Sequence, residues 1–309
     1  MINILRDIKS FTKSFLLRII YWRISQKISS ARNSEQIQKI SCIVFSMDRA
    51  IQLHALISSF IATRVGKCEM TVIYGTSSKN HKKSYLELEK VFGQNVSFVD
   101  ELEHGDFRKS LLFVLSKIKN QKIFFLVDDI IFTEQVNYSE LINLNLKNAI
   151  FSLRLGAHLN YSYVVSKKQE LPCGILELGD FLIWNWSDGQ LDWAYPLSVD
   201  GHIFCTSEVL IWANCLAFRN PSSFEGELQK FCFLYKKYTG ISFKKSKIVN
   251  IPANRVQNDV ENLHGSIHQD DLLEFWSKGF QIDSNKFIGW TNSSAHQEAE
   301  FSFVKRLSN

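Results

Sequence analysis

The feature that most constrains this chain is a regular alternation of short apolar runs with helical segments after residue 39. In the helical segments apolar residues recur every three or four positions, whereas the runs between them are short and rich in β-branched and aromatic residues. Strands that alternate with helices in this way indicate a parallel sheet with helical crossovers, so we predict an α/β fold. The predicted strands are Ile40–Phe45, Met70–Tyr74, Val96–Val99, Lys122–Val127 and Phe151–Leu155, and the predicted helices are Ile51–Val65, Tyr85–Phe92 and Phe107–Ile118.

Polar side chains follow several of these predicted strands directly. In open α/β folds the ligand binds at the carboxyl ends of the strands, so this clustering indicates a nucleotide-binding core. The residues at these ends are Asp48, Arg49, Thr76, Ser77, Asp100, Glu101, Asp128 and Asp129.

Asp128 and Asp129 stand out among them, because they close the nearly continuous apolar run Lys122–Val127. Paired acids at the end of a buried strand are costly unless a cation or a basic partner offsets them. Mg²⁺ and Mn²⁺ bind through one or two carboxylates together with substrate phosphates, so the pair suits a diphosphate held by a metal. The alternative is that one acid caps the next turn while the other is solvated.

Residues 1–39 form a basic arm, with eight lysines and arginines against two acids. The whole chain carries a net charge of +5, so the remainder is nearly neutral, which argues against a nucleic-acid partner. The longest uncharged apolar run of the arm is too short to span a bilayer or to form a secretory signal. Apolar residues of the arm follow the spacing of one helical face, namely Ile4, Ile8, Phe11, Phe15, Ile19 and Trp22.

This pattern predicts an amphipathic helix that lies on an anionic membrane surface through residues 1–30. We therefore expect a peripheral protein on the cytoplasmic face of the plasma membrane. The alternative is a helix that docks on the protein's own body or on a second copy in a homo-oligomer. The six cysteines include no Cys-x-x-Cys pair and are too sparse for a disulfide scaffold, which indicates free thiols in a reducing compartment.

Several motifs that would settle the class of chemistry do not occur in the sequence. It has neither a P-loop nor a Gly-x-Gly-x-x-Gly loop, and it has neither Gly-x-Ser-x-Gly nor His-Glu-x-x-His. It also has no linker, repeat or low-complexity tract, so we predict one continuous domain over residues 40–309.

Four segments resemble a known family. Gly105–Leu111, the helix to Lys119 and the strand that ends at Asp128 and Asp129 together resemble an element of GT-A-fold glycosyltransferases, family 2 especially. Three further segments are similar to the family's opening strand with its donor loop, to the strand and helix before its catalytic acid, and to its Glu-Asp at a helix start. They are Val44–Arg49, Asp200–Leu210 and Phe224–Gln229.

The resemblance covers roughly residues 40–235 and includes clear departures, so it indicates a divergent branch. It implies a GT-A-like, Rossmann-related fold with a mixed, mostly parallel sheet flanked by helices. Residues 40–150 would form the nucleotide-sugar half and residues 151–309 the acceptor half. The departures fall at residues 74–78, 127–130 and 225–227, where the family has Asp-Asp-Gly-Ser, a full Asp-x-Asp and Glu-Asp.

The resemblance also implies a reaction. Transfer of a sugar from a nucleotide-sugar needs the leaving diphosphate neutralised, for which Mn²⁺ or Mg²⁺ on Asp128 and Asp129 would serve, with His268 as a further ligand. An inverting enzyme also needs a carboxylate base, for which we expect Glu225, followed by Glu227 and Asp200. The alternative for Glu225 is an acid held by the dipole of a helix start. The residues expected to bind the donor are Ser46, Asp48, Arg49, Thr76, Arg108, Asp128 and Arg255.

The acceptor is expected to be a glycan or a lipid-linked glycan of surface polysaccharide or lipopolysaccharide assembly, by analogy alone. Trp184, Trp186 and Trp193 are interleaved with acids and fit either a sugar-binding wall or a core. His202 fits either a sugar contact or a packed position. Two other classes remain open: a non-catalytic relative that serves as a membrane-docked assembly partner, and a nucleotidyltransferase, which the lack of a glycine-rich first loop disfavours.

Overall fold

A nine-stranded mixed sheet forms the centre of the protein, with helices on both of its faces. The computed structural model describes residues 22–32, 39–118, 121–252 and 269–306. The strands are β1 (Lys39–Met47), β2 (Arg64–Val65), β3 (Glu69–Gly75), β4 (Val96–Asp100), β5 (Gln121–Val127), β6 (Ile130–Phe132), β7 (Val136–Asn137), β8 (Ala149–Ser152), β9 (Tyr161–Ser162), β10 (Lys167–Lys168), β11 (Leu176–Leu178), β12 (Phe181–Asn185), β13 (His202–Cys205), β14 (Thr239–Phe243), β15 (Ile248–Asn250), β16 (Phe280–Ile282) and β17 (Phe303–Lys305).

The helices connect these strands and cover the sheet. Short 3₁₀ turns add Trp186–Asp188, Leu191–Ala194, Gln229–Phe231 and Ser284–Phe287. The α-helices are α1 (residues 22–32), α2 (Ala50–Thr63), α3 (Lys79–Phe92), α4 (Glu101–His104), α5 (Phe107–Lys117), α6 (Tyr138–Asn143), α7 (Thr206–Cys215), α8 (Pro221–Leu228), α9 (Cys232–Tyr235) and α10 (Gln269–Ser277).

The strand order is β11-β12-β14-β8-β13-β5-β1-β3-β4. The four strands at the β4 end are parallel, and β13 runs antiparallel between β5 and β8. The predicted α/β fold with a mixed sheet is therefore confirmed. Because β13 runs against β5, the start of β13 lies at the edge of the sheet where β1, β3 and β5 end.

Two apolar cores lie on opposite faces of this sheet. One contains α2, α3 and the segment after α10, and the other contains α5, α7, α8 and the inner face of α1. Val44 and Ile43, adjacent in β1, belong to different cores because successive side chains of a strand point to opposite faces. A strand buried on both faces explains the continuous apolar runs of the sequence.

Helix α1, the described part of the basic arm, packs against the protein's own body. Ile24 and Ile28 are buried in the core. Arg32 is buried too, and its Nη2 donates to Glu208 Oε2 at 2.6 Å. In this part of the arm, the helix docks on the protein's own body, which is the alternative to membrane contact given above. Residues 1–21 and 33–38 lie outside the described residues. Across the described ranges, no helix combines the length and the apolar character that crossing a membrane requires.

The tryptophan-rich segment belongs to the core, so the sugar-binding wall considered for it is wrong. Trp184, Trp186 and Trp193 are each 3% exposed or less and pack on one another at 4.9–5.0 Å between ring centroids. Gly240, on the neighbouring strand β14, lies directly beneath Trp184, and a Cβ there would come within 2.2 Å of the indole ring. The close contact explains why a glycine is needed at this position.

Candidate active site

The carboxyl ends of β1, β5 and β8 and the start of β13 meet at one edge of the sheet. Side chains that the sequence places far apart converge there, because parallel strands end on the same side and β13 is reversed. A second contribution comes from β15, which pairs with β6 and brings Asn250 opposite Ile130, next to the aspartate pair. This edge is the candidate active site.

Asp128 and Asp129 share one cationic partner, Arg49. The Arg49 Nη1 atom is 3.0 Å from Asp128 Oδ1 and 3.2 Å from Asp129 Oδ2. Asp128 Oδ2 accepts hydrogen bonds from Ser46 Oγ (2.8 Å) and from the backbone N–H of Met47 (3.2 Å). Asn250 Nδ2 donates to Asp129 Oδ1 at 2.9 Å. The pair is therefore offset by a basic partner, and neither acid caps a turn or lies in solvent.

The loop after β1 fixes Arg49 in this position. Asp48 has a φ of 56°, in the left-handed region that few non-glycine residues adopt. Its buried side chain accepts a hydrogen bond from the Ser77 N–H at 2.9 Å, and its Oδ1 is 3.8 Å from Nδ1 of His81. The Arg49 N–H donates to Tyr85 Oη at 3.2 Å. These contacts join the loop to the segment after β3 and to helix α3.

Asp200 lies just before β13, beside two basic groups. Its Oδ2 atom is 3.4 Å from His296 Nε2 and 3.6 Å from Arg154 Nη1. Arg154 also donates to Ser198 Oγ and to Asp192 Oδ1, each at 2.9 Å. Gly201 follows with a φ of 73°, and a Cβ there would come within 2.3 Å of Ile248, so only glycine fits this turn.

Glu225 reaches this site from helix α8. The helix begins with a capping box in which Asn220 and Ser223 satisfy each other's backbone N–H groups, and no acid lies in its first turn. Glu225 is therefore not the acid at a helix start that the sequence left as an alternative. Its Oε1 instead accepts a hydrogen bond from the Val199 N–H at 3.2 Å, which ties α8 to the turn before Asp200.

The three carboxylates at the centre of the site differ in pKa. Burial, followed by the nearby charge of Asp200, raises the pKa of Glu225 to about 7. Burial also raises the pKa of Asp129, to about 6, against the lowering effect of Arg49. Burial acts in the same direction on Asp200, but His296 and Arg154 outweigh it and lower its pKa. Near neutral pH, Asp200 and Asp129 are thus mostly ionised, whereas Glu225 is close to the midpoint of its titration.

Two other predicted residues, Arg108 and Glu227, contact groups outside this cluster. Thr76 follows β3 and is half-buried. Arg108 donates to the carbonyls of Asn214 and Leu216 at the end of α7. Glu227 lies on the outer side of α8 in an ion pair with Lys230. Two predicted residues, Arg255 and His268, are outside the described residues, as is the nearby His264.

His202 is packed rather than available. It is 1% exposed, its Nδ1 donates to the Pro196 carbonyl at 2.9 Å, and its ring lies against Trp186. Burial, with Arg154 nearby, lowers its pKa to about 3, which keeps the ring neutral. The six cysteines are all free thiols, as expected from their spacing.

Three residues of the site were not anticipated from the sequence: Arg154, Asn250 and His296. Arg154 follows the carboxyl end of β8, so the rule that ligands bind at strand ends could have identified it. Asn250 and His296 are joined by an isolated parallel bridge between distant segments. No spacing in the sequence signals that contact.

The comparisons with known proteins found similar solved structures but no matching family. No protein-family model matches the sequence, and no curated protein matches it. Among the solved structures that match are residues 1–349 of S. aureus TarS in complex with UDP-GlcNAc, with 16% identity over 72% of this chain and 60% of that one and a TM-score of 0.44. A mannosyltransferase from Pyrobaculum calidifontis, PcManGT, in complex with GDP-Man and Mn²⁺, matches at 12% identity over 43% of this chain and 41% of that one, with a TM-score of 0.29.

A UDP-glucose pyrophosphorylase complexed with UDP-glucose also matches, at 14% identity over 69% of this chain and 93% of that one, with a TM-score of 0.36. The chain spans 37% of the longer TarS structure and 60% of its 1–349 fragment. These three structures have identities of 16% or less and TM-scores of 0.44 or less, so the resemblance to GT-A glycosyltransferases that the sequence indicates stays an expectation.

The aspartate pair does not fit a resident divalent cation. All four of its carboxylate oxygens accept from protein donors, and Arg49 lies between the two carboxylates. Within the ranges that the structure describes, no three His, Cys, Asp or Glu side chains are grouped so that they could hold a metal ion. The described residues at Asp128 and Asp129 therefore do not fit the Mn²⁺ or Mg²⁺ that the resemblance implies there.

Proposed function

We propose that this protein is a glycosyltransferase that moves a sugar from a nucleotide-sugar donor to a glycan or lipid-linked glycan acceptor, with inversion. The observation that carries the proposal is the convergence of Glu225, Asp200 and the Asp128–Asp129 pair at the carboxyl edge of the sheet. The fold neighbours include complexes with UDP-GlcNAc and GDP-Man, which agree with this proposal without deciding it.

Glu225 is the proposed general base. A base works best when its pKa is near the working pH, and burial beside Asp200 raises the pKa of Glu225 to about 7. An acceptor hydroxyl placed at its carboxylate would give its proton to Glu225 as the hydroxyl oxygen attacks the anomeric carbon of the sugar, the bond from that carbon to the phosphate oxygen breaks and the nucleotide leaves. Asp200, whose pKa is lowered by His296 and Arg154, is the weaker base and serves to raise the pKa of Glu225.

The loop after β1 is the proposed donor side of the site. Ser46, Asp48 and Arg49 lie there in fixed geometry, next to the half-buried Thr76 at the end of β3. Arg49 supplies the positive charge closest to the aspartate pair. Arg108 is held by two carbonyls at α7, so we expect it to orient the start of α5 rather than to reach a phosphate.

We further propose that the protein works at the cytoplasmic face of a membrane, on an acceptor of surface polysaccharide or lipopolysaccharide assembly. The support is the basic, amphipathic sequence of the arm. Ile24 and Ile28 are buried in the core and so cannot contact a membrane. Membrane contact is therefore expected from the residues before α1. Trp22, at the outer end of α1, is exposed.

Donor turnover tests the reaction. Release of UDP, GDP, CMP or dTDP from the matching sugar nucleotides is measured with membrane glycolipids as acceptors, for the wild type and for Glu225→Gln. We expect the substitution to slow release about 10²–10⁴-fold, the usual contribution of a general base, with donor binding retained. The control is Glu274→Gln, because Glu274 lies exposed on α10 in an ion pair with Lys278.

Equal rates for the wild type and Glu225→Gln would contradict the role of Glu225. If the wild type binds a sugar nucleotide but releases no nucleotide, the non-catalytic assembly partner becomes the better account. Formation of a sugar nucleotide from a sugar phosphate and a nucleoside triphosphate would instead indicate a nucleotidyltransferase.

A further inference from the structure

Arg49 occupies the place at the aspartate pair for which the sequence predicts a metal ion. Its Nη1 bridges one oxygen of each carboxylate at 3.0 and 3.2 Å. The side chains of Arg49, Asp128 and Asp129 are only 12%, 4% and 11% exposed, so solvent screens this interaction weakly. A single guanidinium nitrogen thus contacts both buried carboxylates, and its one positive charge offsets part of their combined negative charge.

The other carboxylate oxygens are also engaged. Asp128 Oδ2 accepts from Ser46 Oγ and Met47 N–H, and Asp129 Oδ1 accepts from Asn250 Nδ2. A divalent cation at the pair would have to replace at least Arg49 and would leave a buried guanidinium without its carboxylates. Leaving a buried charge without its partner is strongly unfavourable.

Arg49 also has little freedom to move aside. Its own N–H donates to Tyr85, its carbonyl accepts the N–H of Leu53 at the start of α2, and Asp48 before it is held by Ser77. The backbone from which the Arg49 side chain reaches the aspartate pair is therefore held in place. An arginine side chain is not deprotonated in proteins, so Arg49 brings a fixed positive charge to the pair.

We propose that Arg49 is the built-in counter-ion of Asp128 and Asp129 and keeps divalent cations from binding at this pair. This inference deepens the proposed function: if the protein is the transferase proposed above, its donor binding does not depend on an added divalent cation. The competition between Arg49 and a cation concerns the aspartate pair alone, so it can be tested without a nucleotide.

The test measures the binding of Mn²⁺ alone to the full chain. Binding is detected as a decrease in the EPR signal of free Mn²⁺. We expect the wild type to show no saturable binding at the pair, and Arg49→Gln to bind Mn²⁺ at least about tenfold more tightly, because a positive charge within hydrogen-bond distance of both carboxylates is removed. Adding Asp129→Asn to Arg49→Gln should abolish the gain. The matched control is Arg64→Gln, since Arg64 donates to the Cys68 carbonyl and contacts no carboxylate among the described residues.

Two results would overturn the proposal: tight Mn²⁺ binding by the wild type that Asp128→Asn removes, or no gain in folded Arg49→Gln. Arg49→Lys covers the case in which Arg49→Gln does not fold. It keeps the positive charge, so it should bind Mn²⁺ as weakly as the wild type, and tight binding by this variant would also contradict the proposal. A protein that binds no nucleotide at all would refute the proposed function and leave this inference intact, because no nucleotide enters the assay.

Discussion

Glu225 and Asp200 lie side by side, yet their surroundings give them opposite tendencies to hold a proton. Asp200 lies within 3.6 Å of both Arg154 and His296, whereas for Glu225 the charge of Asp200 affects the pKa more than Arg154, which lowers it. An acid whose neighbours are cationic stays ionised, and one whose neighbour is anionic keeps its proton to higher pH. The division of roles between a base and a charge that tunes it follows from these contacts.

The pH dependence of the reaction provides a test of this division. The base acts deprotonated, so the wild-type rate should rise with pH through about 7, the pKa of Glu225. Asp200→Asn removes the negative charge that raises this pKa, so the midpoint of the rise should move to lower pH. The measurement is the pH–rate profile of nucleotide release for both proteins.

Asp180→Asn is the control for that profile, because Asp180 is exposed between β11 and β12 and should leave the midpoint in place. A midpoint that stays the same in Asp200→Asn, or that moves to higher pH, would show that Asp200 does not set the pKa of the base.

Sequence reasoning succeeded at this scale where a residue follows a predicted strand directly. Asp48, Arg49, Asp128 and Asp129 were found in this way, because strand ends meet at one edge. His296 was missed because a contact between segments far apart in sequence brings it to Asp200. The tryptophans fitted two interpretations, since an aromatic pattern is the same in a core as in a binding wall and only burial separates them.

At the scale of elements, the buried ion pair of α1 explains why the basic arm is attached to the body. Arg32 donates to Glu208 and to the carbonyls of Leu146, Lys147 and Ala149, and Tyr235 donates to the other oxygen of Glu208. Helix α1 is thereby tied to α7, to α9 and to the loop before β8. The residues that precede α1 are thus linked to a helix of fixed position.

Loss of this ion pair should destabilise the whole protein. Arg32→Met leaves Glu208 buried without its cation, and breaking a buried pair in this way typically costs about 3–5 kcal/mol in the free energy of unfolding. Urea unfolding of the full chain measures the effect. Lys27→Met, on the exposed face of the same helix, should stay within about 0.5 kcal/mol of the wild type.

The double variant Arg32→Met with Glu208→Met separates the lost ion pair from lost packing. It should be more stable than Arg32→Met alone, because it leaves no unpaired buried carboxylate. If Arg32→Met unfolds at the same urea concentration as Lys27→Met, then α1 is not held by this pair.

Most elements were predictable because the sheet is buried on both faces and its strands end in polar residues. The prediction for β5 began at Lys122 and the strand begins at Gln121, a difference of one residue. The prediction Phe151–Leu155 was displaced from β8, Ala149–Ser152. Leu153 and Leu155 are buried although the strand has ended, so an apolar run overestimates how far a strand extends.

At the scale of the whole molecule, the site draws on segments from both halves of the chain. The first half supplies Arg49 and the aspartate pair, and the second half supplies Asp200, Glu225 and the C-terminal His296. Strand β13 brings the two halves together, because it pairs antiparallel with β5 and so begins at the edge where β5 ends. The resemblance to a known family pointed to most of these residues, but the pairing of Arg49 with the aspartates required the structure.

The burial of α1 determines which form of the protein is suitable for binding studies. Ile24, Ile28 and Arg32 are buried, so removal of residues 1–30 would expose the core beneath α1. The full chain is the appropriate material.

The most direct test of the central claim is a thermal-shift panel of UDP, GDP, CMP and dTDP and their sugar conjugates on the full chain, with Mn²⁺ and with EDTA. We predict that one nucleotide class raises the Tm, since a ligand at 100 times its Kd stabilises the folded state by about 2.7 kcal/mol. We also predict that the shift is equal with Mn²⁺ and with EDTA. A shift that requires Mn²⁺ would keep the transferase but contradict the role of Arg49, and no shift with any nucleotide would contradict the proposed function itself.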